Sequence, residues 1–229
     1  DLEVRQPTDR IVLQAIDMKF IDSALATPGG KTLVPKVSVD ADAQTATFAF
    51  DAPLAPGRYT LSTGYSGVIG TQANGLFALD YQTDAGRKRA LFTQFENSDA
   101  RRFIPSWDEP SFKATFDLTV NAPAGDLVVG NMPAASTRDI GKGMKQVVFR
   151  TTPKMSTYLL FMAVGDFDRS TMRGENGTEI GVIAQRGKAE QARYALEASR
   201  DVLREYNDYF GVPYPLPKLD NIAAPGRRQ

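Results

Sequence analysis

Apolar and polar residues alternate in short runs along most of the chain. From Thr45 to Phe50 the alternation is strict, with Ala46, Phe48 and Phe50 set against Thr45, Thr47 and Ala49. Such a period of two predicts a half-buried strand. Arg58–Tyr65 repeats the pattern, and Pro56-Gly57 supplies the turn before it. Arg10–Phe20 is apolar with partial alternation and is read as one strand. Gly75–Tyr81, Ala90–Phe95, Thr115–Asn121, Leu127–Asn131, Gln146–Thr152, Tyr158–Phe167 and Ile180–Gln185 complete the set. Turn signals such as Ala73-Asn74-Gly75, Ala124-Gly125-Asp126 and Glu175-Asn176-Gly177 separate them. Short strands at this spacing predict a mainly β domain of packed antiparallel sheets, a sandwich or saddle-like arrangement, over residues 1–186.

The pattern changes at Gly187. Lys188 to Phe210 contains neither Pro nor Gly, and Ala195, Leu196, Ser199, Val202, Leu203, Tyr206 and Phe210 fall at helical spacing. Gly211 stands where a C-cap belongs, and Pro213 follows. The stripe reads as core rather than as a partner-binding face. Lys218–Pro225 reads as the entry to a strand, after which the chain stops at Gly-Arg-Arg-Gln. One helix and one strand do not make a domain, so residues 187–229 are expected to open a second one.

Composition narrows the chemistry. The 229 residues carry 27 basic and 27 acidic side chains and 42% hydrophobic residues. That is enough for a core, and it lacks the basic excess that nucleic-acid binding brings. No run approaches the ~18 apolar residues of a spanning helix. Cys and His are both absent. This chain therefore offers no thiol nucleophile, no Ser-His-Asp triad and no Cys- or His-ligated metal. No Asp-x-Asp-x-Asp-Gly calcium loop is present. Hydrolysis by a carboxylate pair is the main chemistry left to the chain alone. The chain opens Asp-Leu-Glu-Val with no initiator Met, so a trimmed start is expected, and the compartment, cytoplasmic or exported, stays open.

The stretch from Thr93 to Pro110 is too polar for core and too crowded for a linker. Glu96, Asp99, Arg101, Arg102, Asp108 and Glu109, with Lys113 just beyond, are threaded by Phe95, Phe103 and Trp107. Loops of that composition carry function or build a packing surface. Asp108-Glu109 invites comparison with a glycosidase acid–base pair, but adjacent carboxylates seldom face one substrate from opposite sides. The structural alternative is that some of Asp99, Arg101, Arg102, Asp108 and Glu109 pair with one another and hold the loop rigid. Arg87-Lys88-Arg89 reads as a solvated hairpin turn rather than a phosphate patch. Asn176-Gly177-Thr178 matches a glycosylation sequon, although Asn-Gly also suits a hairpin turn. Asp166 and Asp168 alternate at a strand end and are expected to face solvent.

Thr93–Pro110 resembles the TQFE-x-x-DAR-x-x-x-P-x-x-DEP signature of the M1 family of zinc aminopeptidases, the gluzincin aminopeptidases. Further likenesses lie in Gly75-Leu76-Phe77, in Met155–Leu159, in Ala163–Phe167 and in Tyr214–Asp220, all in the family's order. Ser106-Trp107 stands where the family often has Cys-Phe. The resemblance implies an N-terminal, non-catalytic, saddle-like β domain. A thermolysin-like catalytic domain would follow it, with Gly-Ala-Met-Glu-Asn and H-E-x-x-H motifs beyond Gln229. Asp1–Pro7 resembles the third strand of the family's first sheet, which implies that earlier strands are missing.

It further implies that Glu96 anchors the α-amino group of a peptide substrate and that Gln94 lines the first specificity pocket. Zinc would belong to the parent enzyme and to none of the residues here, and this chain alone would be inactive. The partners implied are a peptide substrate and, within one polypeptide, the catalytic domain. Without the motif, Glu96 reads as a solvated carboxylate at a strand end. A second reading is a scaffold or interaction domain of a relative that has lost zinc. A third, a carbohydrate-binding sandwich, would need an exposed aromatic platform, and Trp107 is the only Trp.

Overall fold

The computed structural model describes residues 1–225. It is mainly antiparallel β structure with one long helix near the C-terminal end. Contacts divide the chain into two compact units. One holds residues 1–77, 94–113 and 156–159, and the other holds 78–93, 114–155 and 160 onward.

The first unit is a β-sandwich. Its four-stranded sheet runs in the order Leu2–Val4, Gly57–Ser66, Lys19–Ala26, Thr32–Leu33, and its three-stranded sheet in the order Thr8–Gln14, Thr45–Leu54, Lys36–Asp40. Phe48 and Ala46 are fully buried in a core with Leu13, Leu25 and Tyr59, and the Phe20 ring meets Phe48 edge-on at 5.5 Å. The alternation over Thr45–Phe50 is thus a register in which every second side chain enters the core.

Arg10–Phe20 is not one strand. The chain breaks at Ile16-Asp17, where Asp17 has φ 56°, and resumes as Lys19–Ala26 in the other sheet. The break is satisfied by distant carbonyls: Ala15 N donates to Gln44 O at 2.9 Å and Ile16 N to Arg101 O at 2.8 Å. Asp tolerates the left-handed region better than most residues, so the turn is made at Asp17.

The second unit holds three sheets. A four-stranded sheet orders Leu127–Gly130, Met162–Gly165 and the parts of strands Gly86–Gln94 and Gly75–Thr83 that lie in this unit, residues 86–93 and 78–83. A three-stranded sheet orders Thr119–Pro123, Met144–Phe149 and Ala134–Gly141. The third is mixed: Phe167–Arg173 pairs antiparallel with Glu179–Gln185, which pairs parallel with Lys218–Ile222. A parallel pair needs a crossover, and helix Arg193–Phe210 supplies it, entered through a 3-10 turn over Ala189–Ala192 and closed by Gly211 at φ 64°. The final Gly-Arg-Arg-Gln lies outside the described residues.

Only part of the expected helical stripe is core. Leu196 and Leu203 pack with Ile180, Val182 and Leu219. Val202, Tyr206 and Phe210 stay 51%, 59% and 67% exposed. The line facing the sheet runs through Ala192, Leu196, Ser199, Leu203 and Asn207. Along it Asn221 donates to Ser199 Oγ at 2.9 Å, and Asn207 Oδ1 accepts Tyr214 N–H at 2.8 Å. Two polar positions on the packed line displace the second apolar row to the open side.

The face of Lys218–Ile222 away from the helix carries charge. Lys218 Nζ donates to Gly130 O at 2.7 Å and pairs with Asp220, whose side chain is 6% exposed. Arg169 Nε reaches Asp220 Oδ1 at 2.9 Å, and Arg169 Nη1 reaches Glu179 Oε1 at 2.7 Å. Burial works against the Arg169 charge, but its bonds to Asp220 and Glu179 prevail and raise its pKa. Gly181 lies beneath this pair. A Cβ there would overlap Asp220 Oδ1 and stand 2.8 Å from Arg169 Nε.

Candidate functional site

The loop after strand Gly86–Gln94 alternates in burial: Gln94 and Glu96 are exposed and Phe95 between them is 1% exposed. The buried Phe95 thus stands between two exposed polar side chains, Gln94 and Glu96, an alternation like that of extended chain. Phe95 fixes that alternation by packing on Phe103 with ring centroids 5.4 Å apart. Among the described residues the Glu96 carboxylate makes no ion pair or hydrogen bond. The Glu96-Asn97 peptide is cis.

The chain then turns. Asp99 N donates to Phe95 O at 2.9 Å, and a 3-10 turn follows over Ala100–Arg102. Arg102 Nε binds Asp99 Oδ1 at 2.9 Å and its Nη1 reaches Asp17 Oδ2 at 3.3 Å. Arg102 also lies on Gly75, which has φ 62° and where a Cβ would come within 2.7 Å of Arg102 Cβ. Glycine is required there on both counts.

Asp108 is the most buried ionisable group of the loop, its side chain 1% exposed. Its Oδ2 accepts from Arg101 N and Arg101 Nε, each at 3.1 Å, and its Oδ1 accepts from Thr157 Oγ1 at 2.7 Å. Arg101 Nη1 continues to Gln44 Oε1 at 2.9 Å, and Asp108 N donates to Gln14 Oε1 at 2.9 Å. Gln14 and Ser106 exchange backbone hydrogen bonds at 2.8 and 3.1 Å. A carboxylate that accepts three bonds while paired with a guanidinium meets the conditions under which a buried charge is tolerated. Tyr65 OH donates to Phe103 O at 2.9 Å, and burial raises the Tyr65 pKa.

Of the five charged residues among which some pairing was expected, Arg101 joins Asp108 and Arg102 joins Asp99, at 3.1 and 2.9 Å. Glu109 stands apart: it is exposed, its carbonyl accepts Phe112 N–H at 2.9 Å, and its carboxylate makes no ion pair among the described residues. Gln14, Gln44 and Thr157 were not anticipated from sequence. They are distant in the chain and neutral, and nothing in their local sequence marks them as partners of Arg101 or Asp108.

Other candidates resolve differently. Arg87 and Arg89 both bind Asp80, at 2.7 Å, so they are strand residues with a shared counter-ion rather than a free basic turn. The Arg89 and Arg87 bonds hold the Asp80 carboxyl down at about 2 despite an opposing desolvation effect. Asp166 and Asp168 do not simply face solvent. Both are half-buried, Arg186 binds each of them, and Gly187 N donates to Asp168 Oδ2 at 2.7 Å. Thr178 of the sequon is buried, and its hydroxyl donates to Leu216 O at 3.4 Å, so it is a packing residue.

Zinc, the ion implied by the resemblance, finds no donor set here. The sequence holds neither His nor Cys, and no group of three or more acidic side chains among the described residues is placed to hold a metal. An open groove of about 520 Å³ borders Asp1, Arg58 and Thr60, and a cleft of about 190 Å³ borders Val129, Tyr214 and Lys218; Gln94 and Glu96 line neither. No helix among the described residues is long and apolar enough to cross a membrane.

The chain is 43% identical over 229 residues to aminopeptidase N of Acetobacter pasteurianus, covering all of this chain and 63% of that protein. It is 36% identical to aminopeptidase M1 of Arabidopsis thaliana, over 98% of this chain and 26% of that protein. It is 32% identical to endoplasmic reticulum aminopeptidase 1 of Rattus norvegicus, over 98% of this chain and 25% of that protein. The chain thus spans between a quarter and under two thirds of the length of these relatives. The sequence profile of the peptidase M1 N-terminal domain matches residues 1–159, which include the whole of the Thr93–Pro110 loop, and the chain belongs to that family.

Proposed function

We propose that this chain is the substrate-recognising, non-catalytic β domain of a zinc aminopeptidase that removes N-terminal residues from peptides. Glu96 receives the α-ammonium of the substrate, and Gln94 lines the pocket for the first side chain. The observation that carries this reading is that two exposed polar side chains flank the buried Phe95, one of them a carboxylate with no partner among the described residues. An exopeptidase must recognise an ammonium, and a carboxylate does so through charge-assisted hydrogen bonds. Fixing the ammonium also fixes the register of the scissile bond, which contributes more to rate than to affinity.

Residues 187 onward would begin the catalytic part, and the adjoining polypeptide would supply zinc ligands and base. The Arg101–Asp108 and Arg102–Asp99 pairs would brace the loop. No hydrolytic step is assigned to residues of this chain, since they do not fit the metal.

The test is kinetic and uses the full-length polypeptide. Glu96→Gln should lower kcat/KM for aminoacyl-coumarin substrates by roughly ten- to a hundredfold, the ~1.5–3 kcal/mol of a hydrogen bond to a charged group. The 229-residue chain, assayed alongside, should show no turnover. Unchanged kcat/KM in Glu96→Gln would end the anchor assignment, and turnover by the isolated chain would end the non-catalytic one.

A further inference from the structure

The chain contains two Asn-Gly dipeptides, Asn74-Gly75 and Asn176-Gly177, in very different settings. We propose that Asn176-Gly177 is a site of spontaneous succinimide formation in the folded protein, yielding isoaspartate and aspartate at position 176, and that Asn74-Gly75 is protected from it.

The chemistry needs no enzyme. The deprotonated backbone nitrogen of Gly177 attacks Asn176 Cγ. A new N–C bond forms, the Cγ–Nδ2 bond breaks, and ammonia leaves with the proton given up by the Gly177 amide. Water then opens the five-membered ring at either carbonyl. One opening restores the main chain with an aspartate, and the other routes it through Cβ as isoaspartate. The balance is one water consumed and one ammonia released, with no change of oxidation state. The step requires that the residue after Asn have no side chain to obstruct attack, and that the backbone at Asn rotate to bring that nitrogen behind Cγ.

At Asn176 both requirements are met cheaply. Glu175, Asn176 and Gly177 are all exposed, and nothing lies within 4 Å of where a Gly177 Cβ would stand. The turn over Glu175–Gly177 closes through Thr178 N to Glu175 O at 3.3 Å, longer than any other backbone turn bond given for the described residues. Asn176 is already outside the helical region at φ 57°, and its side chain makes no hydrogen bond among the described residues. Rotation there moves exposed residues, while the hairpin stays anchored just beyond them by the buried Thr178, whose carbonyl accepts Gly174 N–H at 2.9 Å. Turns of this kind open at low free energy.

At Asn74 the same chemistry is blocked by packing. Gly75 is buried at the start of strand Gly75–Thr83, and Arg102 lies against it, 2.7 Å from a built Cβ. Arg102 is in turn held by Asp99 at 2.9 Å and Asp17 at 3.3 Å. Moving the Gly75 nitrogen means unseating that guanidinium and its two carboxylates.

The product changes a charged hairpin. A carboxylate at 176 joins Glu175 and Glu179, and Glu179 already pairs with Arg169 at 2.7 Å. Isoaspartate adds a backbone atom to a hairpin whose register pairs Arg173 with Glu179.

The experiment incubates the 229-residue chain at mildly alkaline pH, native and in denaturant. Its tryptic peptides Gly174–Arg186 and Tyr59–Arg87 are then compared by mass and by isoaspartyl methyltransferase labelling. Native Asn176 should convert at least about tenfold faster than native Asn74, a ratio equivalent to ~1.4 kcal/mol of extra opening free energy at Asn74. In denaturant the two rates should converge. Gly177→Ala should slow conversion at 176 in both conditions, which separates the chemistry from any effect on the fold. Equal native rates at the two sites would overturn the proposal. So would a native Asn176 that stays intact while the denatured one converts, or a Gly177→Ala rate in denaturant equal to the parent's.

Discussion

Gly181 sits in the middle of strand Glu179–Gln185 between Ile180 and Val182, where a residue without a side chain should weaken the strand. Gly181→Ala isolates the reason it is there. The added methyl would overlap Asp220 Oδ1 and lie 2.8 and 2.9 Å from Arg169 Nε and Nη2. The Asp220 and Lys218 side chains are 6% and 9% exposed, so the displaced charges have little water to turn to. Removing one member of a buried pair costs ~3–5 kcal/mol. Displacing it keeps part of the attraction, and alanine regains ~0.4–1 kcal/mol by restricting the unfolded chain.

The net loss should be about 2–3 kcal/mol. With a urea m-value of ~1–3 kcal/mol/M, the unfolding midpoint followed by far-UV circular dichroism should fall by about 1 M. Gly125→Ala is the control, since nothing lies within 4 Å of its built Cβ and its φ is ordinary; it should stay within ~0.5 kcal/mol of the parent. In an Asp220→Ala background Gly181→Ala should lose most of its effect, because the two share one contact. A midpoint unchanged by Gly181→Ala, or an equal loss in the Asp220→Ala background, would refute the claim that the ion pair dictates the glycine.

Two other outcomes follow from the ion pairs. Asp108→Asn leaves Arg101, 16% exposed, without its counter-charge; it should cost ~3–5 kcal/mol and lower Tm by about 10 °C in a melting scan, while Glu109→Gln next to it stays within ~0.5 kcal/mol. The Asp80 carboxyl titrates at about 2, held there first by Arg89. A folded pKa below the unfolded ~3.9 means that this pair stabilises the fold above that pH and loses its contribution as pH falls toward 2. An Asp80 carbon resonance titrating near 4 in the folded protein would contradict the pairing with Arg87 and Arg89.

What could be read from sequence depended on whether a segment has a buried face. Thr45–Phe50 was legible because Ala46 and Phe48 are both 0% exposed, and burial of alternate residues writes itself into the pattern. Strand Ala134–Gly141 is exposed at all eight positions, so it bears no such pattern and went unseen. The break at Ile16-Asp17 was hidden for a different reason: its acceptors, Gln44 and Arg101, are remote in sequence. On the helix, periodicity found the element but not its rotation. The row through Val202, Tyr206 and Phe210 is as apolar as the packed one, and Asn221 and Tyr214 decide between them by bonding to Ser199 and Asn207. Gly181 did carry a signal, a lone glycine among apolar strand residues, which marks a close approach.

The same distinction separates the carboxylates of the Thr93–Pro110 loop. Composition groups Glu96, Asp108 and Glu109 together, yet their capacities differ. Asp108 already accepts bonds from Arg101 N, Arg101 Nε and Thr157 Oγ1, so it has little left to offer a ligand. Among the described residues Glu96 has no such partner, and its neighbour Phe95 is the residue that is anchored. An exposed carboxylate binds an ammonium weakly, at ~0–1 kcal/mol, because water competes and screens. If Glu96 is the amine anchor, its selectivity must come from a second surface that excludes that water, since the same pair strengthens severalfold as the effective dielectric constant falls. On that reading the charge and its orientation would come from this chain, and the exclusion of water from a polypeptide that would have to cover it.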